Sequence, residues 1–157
     1  MSAWGRTPSM SKRLLIVAHA PSENTLSLRD AVERGARSET EIDVRVIAPL
    51  QAGPDDVLAA QAVILGTTEN LGYMSGALKD FFDRSYNACL GKTQGMPCAL
   101  YTRAGSDGTG TRRGVGTIVT GLRWRAVQEP LICRGAWQPA FADQCEELGA
   151  AMAAGLA

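Results

Sequence analysis

His19-Ala20-Pro21-Ser22-Glu23-Asn24-Thr25-Leu26 lies directly between a short apolar run and the first helical pattern of the chain. Amides at the start of a helix have no partner within it, and the helix dipole adds to their attraction for anions. Ser22, Asn24 and Thr25 can each add a side-chain donor. Hydrogen bonds to a charged group contribute about 1.5–3 kcal/mol each, so a few of them hold a phosphate monoester well. Ser22 and Asn24 are equally good helix caps, and a purely structural role accounts for the same residues. Glu23 counts slightly against an anion unless its carboxylate points to solvent while its amide points inward. His19, the one histidine of the chain, either donates to the phosphate or fills the end of the strand.

Two further segments carry polar or glycine-bearing runs. Thr67-Thr68-Glu69-Asn70-Leu71-Gly72-Tyr73-Met74-Ser75 holds donors, acceptors and one aromatic ring. Its backbone amides could face the pyrimidine edge of a flavin, with Tyr73 or Met74 over an apolar ring. The alternative is an ordinary loop that ends in Ser75 as a helix cap. Thr102-Arg103-Ala104 leads into Gly105-Ser106-Asp107-Gly108-Thr109-Gly110, the most glycine-rich stretch. Glycine lets a backbone approach a ligand closely, but this stretch lacks the lysine of a G-x-x-x-x-G-K-[ST] nucleotide loop. Arg103 could set a cation near a reduced, anionic flavin or simply occupy the surface.

Other chemistries find less support. With the single histidine beside a candidate phosphate loop, no Ser/His/Asp or Cys/His set can be assembled, which disfavours hydrolysis. Cys89, Cys98, Cys133 and Cys145 form no C-x-x-C pair, so a structural zinc site is not expected. Cys98 and Cys133 sit in apolar runs and read as buried, reduced thiols.

The elements that must position these loops alternate along the chain. Leu14–Ala18 is a short continuous apolar run that suits a strand covered on both faces. A helix is expected over Asn24 to about Arg37, a second strand over Ile42–Ile47, and a short helix opened by Pro54. Ala62–Leu65 is the third strand, followed by a loop over Thr67–Met74 and a helix from Ser75 to about Ala88. In that helix Ala77, Leu78, Phe81, Phe82, Ser85 and Cys89 share one face. Lys79–Asp83 and Asp80–Arg84 form i,i+4 pairs on the other. Pro97–Thr102 is the fourth strand. A helix over Thr111–Arg125 is weakened by Gly114, Gly116 and Gly121. Val127–Cys133 is the fifth strand, with Pro130 marking an edge or a kink, and Phe141–Leu156 the last helix.

This pattern predicts one α/β domain over residues 12–157, a three-layer α/β/α sandwich around a five-stranded parallel sheet. For the order 2-1-3-4-5, ligands bind beyond the carboxyl ends of strands one and three, where all three loops lie. Residues 1–11 are expected to form a loose arm.

The 157 residues include 45% hydrophobic and 20% charged side chains, ordinary for a soluble globular protein. Sixteen basic and sixteen acidic residues cancel, which points away from nucleic acid and from the strongly acidic surface of a dedicated electron shuttle. No stretch approaches a membrane span and no apolar leader is evident, so a cytoplasmic location is the expectation.

Two segments resemble the NADPH-dependent FMN reductases and flavodoxin-like quinone reductases, including the WrbA-type branch. One is Leu14 to Thr25, similar to the family's strand and Ser-x-Asn-Thr phosphate loop. The other runs from Gly66-Thr67 through Met74-Ser75-Gly76-Ala77-Leu78-Lys79-Asp80-Phe81-Phe82-Asp83-Arg84 and looks like its flavin-ring loop and following helix. The resemblance implies a flavodoxin-like fold with FMN as cofactor. Ser22, Glu23, Asn24 and Thr25 would hold the phosphate, with His19 near it. Thr67, Thr68, Glu69, Asn70, Leu71, Gly72 and Tyr73 would hold the isoalloxazine; Arg103, Ala104, Gly105, Ser106 and Asp107 would border its other side. Two positions depart from the pattern: Thr68-Glu69 where the family often has proline, and Glu23 where it often has glycine.

The resemblance further implies an oxidoreductase that takes hydride from NAD(P)H and passes electrons to a quinone or similar small acceptor, assembled as a homodimer or homotetramer. A flavodoxin-type electron carrier is the alternative. A third reading, supported by Glu23 and Thr68, is a degenerate domain without FMN.

Overall fold

The computed structural model describes residues 11–157. In chain order the elements are β1 (Arg13–Ala18), α1 (Glu23–Ala36), β2 (Asp43–Ile47), α2 (Pro54–Leu58), β3 (Ala62–Asn70) and β4 (Tyr73–Met74). They continue as α3 (Gly76–Cys89), β5 (Pro97–Ala104), α4 (Thr109–Leu122), β6 (Arg125–Ala126), β7 (Leu131–Arg134) and α5 (Ala140–Ala154). The expected arm falls, apart from Ser11, outside the described residues.

Apolar runs without polar alternation form strands here because both of their faces are covered. Along β1, Leu14, Ile16 and Ala18 pack with α1 and α5, while Leu15 and Val17 pack on the opposite face with α2, α3 and α4. The same division runs through β3 and β5: Ile64, Ala99 and Tyr101 on one side, Val63, Leu65, Cys98 and Leu100 on the other. Helix α3 buries the face expected of it, with Leu78, Phe81, Phe82, Ser85 and Cys89 inward. Lys79–Asp83 and Arg84–Asp80 pair at 2.7 and 2.6 Å on its outer side. Arg84 also donates to the Pro49 and Ala52 carbonyls and so fixes the β2–α2 connection. All four cysteines are buried and free. No described helix is long and apolar enough to cross a membrane.

Helices α1 and α5 touch backbone to backbone. A Cβ on Gly35 would overlap the Glu146 carbonyl, and one on Gly149 the Val32 carbonyl. Arg34 pairs with Glu146 at 2.5 Å beside this contact.

Strand order follows the expectation, with two refinements. β1 is parallel to both β2 and β3, and β3 to β5. The fifth strand expected over Val127–Cys133 begins only at Leu131, as β7. Helix α4 ends at Leu122 rather than Arg125, which leaves Arg125–Ala126 to form β6. Both pieces are parallel to β5, with Val127–Pro130 between them. Pro130 has no amide to give a ladder, so a break at this point follows from its chemistry. The second refinement is that Thr67–Met74 is not a loop. β3 runs on to Asn70 and pairs antiparallel with β4, Asn70 facing Tyr73.

Candidate cofactor site at the carboxyl end of the sheet

The start of α1 is built by its own residues. Ser22 is the N-cap: its Oγ accepts the Thr25 amide at 3.2 Å, and its amide donates to Thr25 Oγ1 at 2.9 Å. The two hydroxyls lie 2.8 Å apart, and Thr25 Oγ1 also donates to the Ser22 carbonyl at 3.0 Å. This closed capping box is the structural role weighed above for Ser22. The amides of Glu23 and Asn24 take no partner among the described residues, and both side chains are exposed. Pro21 contributes no amide. His19 follows β1 directly, and its amide donates to the Gly66 carbonyl at 3.0 Å, joining this loop to β3. Burial holds its imidazole below the ordinary histidine value.

The second segment is a two-residue hairpin. Leu71 and Gly72 have φ of 53° and 79°, the left-handed pair that a type I′ turn needs. Leucine is an unusual occupant of that conformation, which disfavours a Cβ by about 1–2 kcal/mol. Leu71 is fully exposed at the apex. Thr67 is buried, and its hydroxyl accepts the Ser75 amide at 3.0 Å; Ser75 Oγ in turn accepts the Leu78 amide at 3.2 Å. The hairpin is therefore anchored to the start of α3. Thr68 Oγ1 bonds Asn70 Oδ1 at 3.0 Å within it.

The hairpin also leans on α4. A Cβ on Gly110 would overlap the Gly72 carbonyl, one on Gly114 the Tyr73 ring, and one on Gly121 the Tyr86 hydroxyl. Two of the three glycines expected to weaken this helix, Gly114 and Gly121, let its neighbours reach the backbone; Gly116 meets open space. Tyr73 accordingly lies on Gly114, so of the two residues considered for covering a ring, this one already covers α4. Glu69 completes the junction, its carboxylate accepting the Gly108 and Thr111 amides at 3.3 and 3.4 Å. Gly108, the N-cap at φ 74°, offers no side chain for capping. Sequence reasoning missed this role of Glu69, because its partners lie about 40 residues away.

In the third segment Gly105, Ser106 and Asp107 are exposed and Ala104 is buried. Asp107 accepts the Thr109 amide at 3.0 Å, which holds its carboxyl below the usual range. Arg103 is directed to the α5 side of the sheet. Its guanidinium donates to the Ala104 and Cys133 carbonyls at 3.1 and 3.0 Å and lies 5.9 and 5.3 Å from the Trp137 and Phe141 ring centres. It is neither a plain surface arginine nor a cation aimed at the hairpin.

The donor set fits FMN phosphate in kind: two amides without a partner among the described residues and two hydroxyls stand at one helix start, with His19 in the loop that leads to it. The hydroxyls are turned toward each other, so a phosphate gains them only as the capping box opens. The Thr102 and Thr111 hydroxyls, buried in this same end of the domain, have no partner among the described residues.

No family model matches the chain. A flavodoxin of Aquifex aeolicus (strain VF5) is 28% identical over 110 residues, 70% of this chain and 60% of that protein. The match thus spans less than two thirds of the relative's length. A flavodoxin structure from the domain Archaea superposes with a TM-score of 0.80 at 20% identity, covering 92% of this chain and 98% of the other. A flavodoxin, WrbA-like protein from Agrobacterium tumefaciens gives 0.68 at 16% identity, covering 93% and 97%. The fold is flavodoxin-like.

Proposed function

We propose that this domain binds FMN at the carboxyl end of its sheet and transfers electrons through it. The observation that carries the reading is the start of α1: free Glu23 and Asn24 amides, with the Ser22 and Thr25 hydroxyls beside them, where strand order reverses between β1 and β3. In this reading these groups and His19 hold the phosphate, and the β3–β4 hairpin and the Gly105–Gly108 segment border the ring. FMN, when bound, supplies the redox chemistry, and the protein orients it and sets its electrostatic surroundings. Arg103 contributes by fixing the segment after β5 rather than by touching the cofactor.

The flavodoxin-type carrier is the simpler form of the proposal, supported by the Aquifex relative. The Ser75–Arg84 segment, similar to that of the FMN and quinone reductases, favours a second form: turnover of NAD(P)H with a quinone, in a homo-oligomer. Catalytic oxidation of NAD(P)H by a quinone separates them. Flavin-loaded protein without such turnover is the carrier.

Flavin content and fluorescence titration test the shared claim. Protein that is colourless and leaves added FMN unquenched overturns it in favour of a domain without cofactor. Asn24→Ala with Thr25→Ala is expected to weaken FMN binding about tenfold or more, two donors to a charged group being lost. An unchanged affinity removes the phosphate assignment.

A further inference from the structure

Charge is unevenly distributed in this neutral chain. Between Pro97 and Arg134 there are six arginines and only two acidic residues. Arg112 and Arg113, in the first turns of α4, converge with Arg134, at the end of β7, on one open cleft with Asp107, Thr109 and Ile132. Asp107 is engaged with the Thr109 amide. The carboxylate paired with Arg112 is that of Glu129, 3.7 Å away and 92% exposed. Among the described residues, no carboxylate lies at ion-pair distance from Arg113 or Arg134. The start of α4 is not the source of attraction, since Glu69 and Asp107 already take three of its amides.

Arg113 also borders the groove along Tyr73, so the basic cleft continues to the hairpin whose apex, Leu71, is fully exposed. Exposed arginines on an open face beside an apolar tip suit a protein surface better than a small anion, which wants enclosure. Charges so placed accelerate encounter with an oppositely charged partner and orient it.

We infer that Arg112, Arg113 and Arg134, with Leu71 as an apolar anchor, dock an acidic one-electron carrier protein. The inference deepens the electron-transfer reading and names its partner by chemistry. In the exchange, the carrier loses the electron that the domain gains.

The test is titration of isotope-labelled protein with an acidic [2Fe–2S] ferredoxin at low salt, followed by amide chemical shifts. Shifts are expected at Arg112, Arg113, Arg134 and Leu71. Arg113→Glu with Arg134→Glu is expected to weaken binding about tenfold or more. Arg123→Glu with Arg125→Glu makes the same change in net charge at the far end of α4, and is expected to leave the affinity within about threefold. Equal weakening by the two pairs overturns the inference, as does tighter binding of a basic cytochrome c or of a short DNA duplex. The shifts need no flavin. Colourless protein that docks ferredoxin would refute the FMN reading alone, and flavin-loaded protein that ignores ferredoxin would refute the docking surface alone.

Discussion

Glu69 and Thr111 are joined across the carboxyl end of the sheet, carboxylate to amide at 3.4 Å, with the Gly108 amide on the other oxygen. One side chain thus takes two amides at the start of a helix whose N-cap is glycine, and ties together two of the three segments read as a cofactor site. Glu69→Ala is expected to destabilise the protein by about 1 kcal/mol, the usual effect of losing a cap. It should also speed hydrogen exchange of the Gly108 and Thr111 amides. Urea unfolding and exchange rates equal to those of the parent would remove this role.

The glycines of α4 divide into two kinds. Alanine is favoured over glycine inside a helix by about 1 kcal/mol. At Gly116, where a Cβ meets open space, Gly116→Ala should stabilise by up to that amount. At Gly114 the same substitution drives a Cβ into the Tyr73 ring, and a net loss of about 1–3 kcal/mol is expected from overpacking. Thermal unfolding of the two variants, compared side by side, checks the opposite signs.

Tyr101 crosses Gly66 with a fully buried hydroxyl that finds no partner among the described residues, and burial pushes its ionisation far up. Removing an unsatisfied buried hydroxyl relieves a desolvation penalty. Tyr101→Phe should therefore be neutral or stabilising by about 1 kcal/mol. A clear loss of stability would mean that the hydroxyl is bonded after all.

His19 gives a pH signature. Burial lowers its folded pKa below the ordinary 6.5, so in the window beneath 6.5 the unfolded chain binds more protons than the native one. The stability tied to neutral His19 is complete above pH 6.5 and is lost as pH falls through the folded value. Being the only histidine, it yields a single imidazole titration by NMR, expected below 6.5. His19→Gln should flatten the dependence of stability on pH in that window. A titration at or above 6.5 contradicts this.

Much of the architecture was legible because the relevant signals are local. Continuous apolar runs in β1 and β3 require cover on both faces, and proline and serine mark the starts of α2 and α3. The hairpin was hidden because Thr67-Thr68-Glu69-Asn70 continues β3 in polar residues. Its turn also sets leucine, not asparagine, ahead of glycine. The glycines of α4 count against a helix on propensity alone, and only the approach of Gly72, Tyr73 and Tyr86 explains Gly110, Gly114 and Gly121. The capping role of Glu69 and the grouping of Arg112 and Arg113 with Arg134 depend on chain crossings that no local pattern encodes. At the first loop, sequence offered cap and anion cradle equally; the structure shows the cap and leaves two amides over.

The broken last strand has a consequence for how these molecules behave in a crowd. An uninterrupted outer rim of unpaired amides and carbonyls is a template on which a foreign chain can extend the sheet. Here that rim is cut into pieces of two and four residues, with an imino acid in the gap. An incoming segment would meet too short a run of matching groups to zip along it, so this flank is guarded against self-association into aggregates.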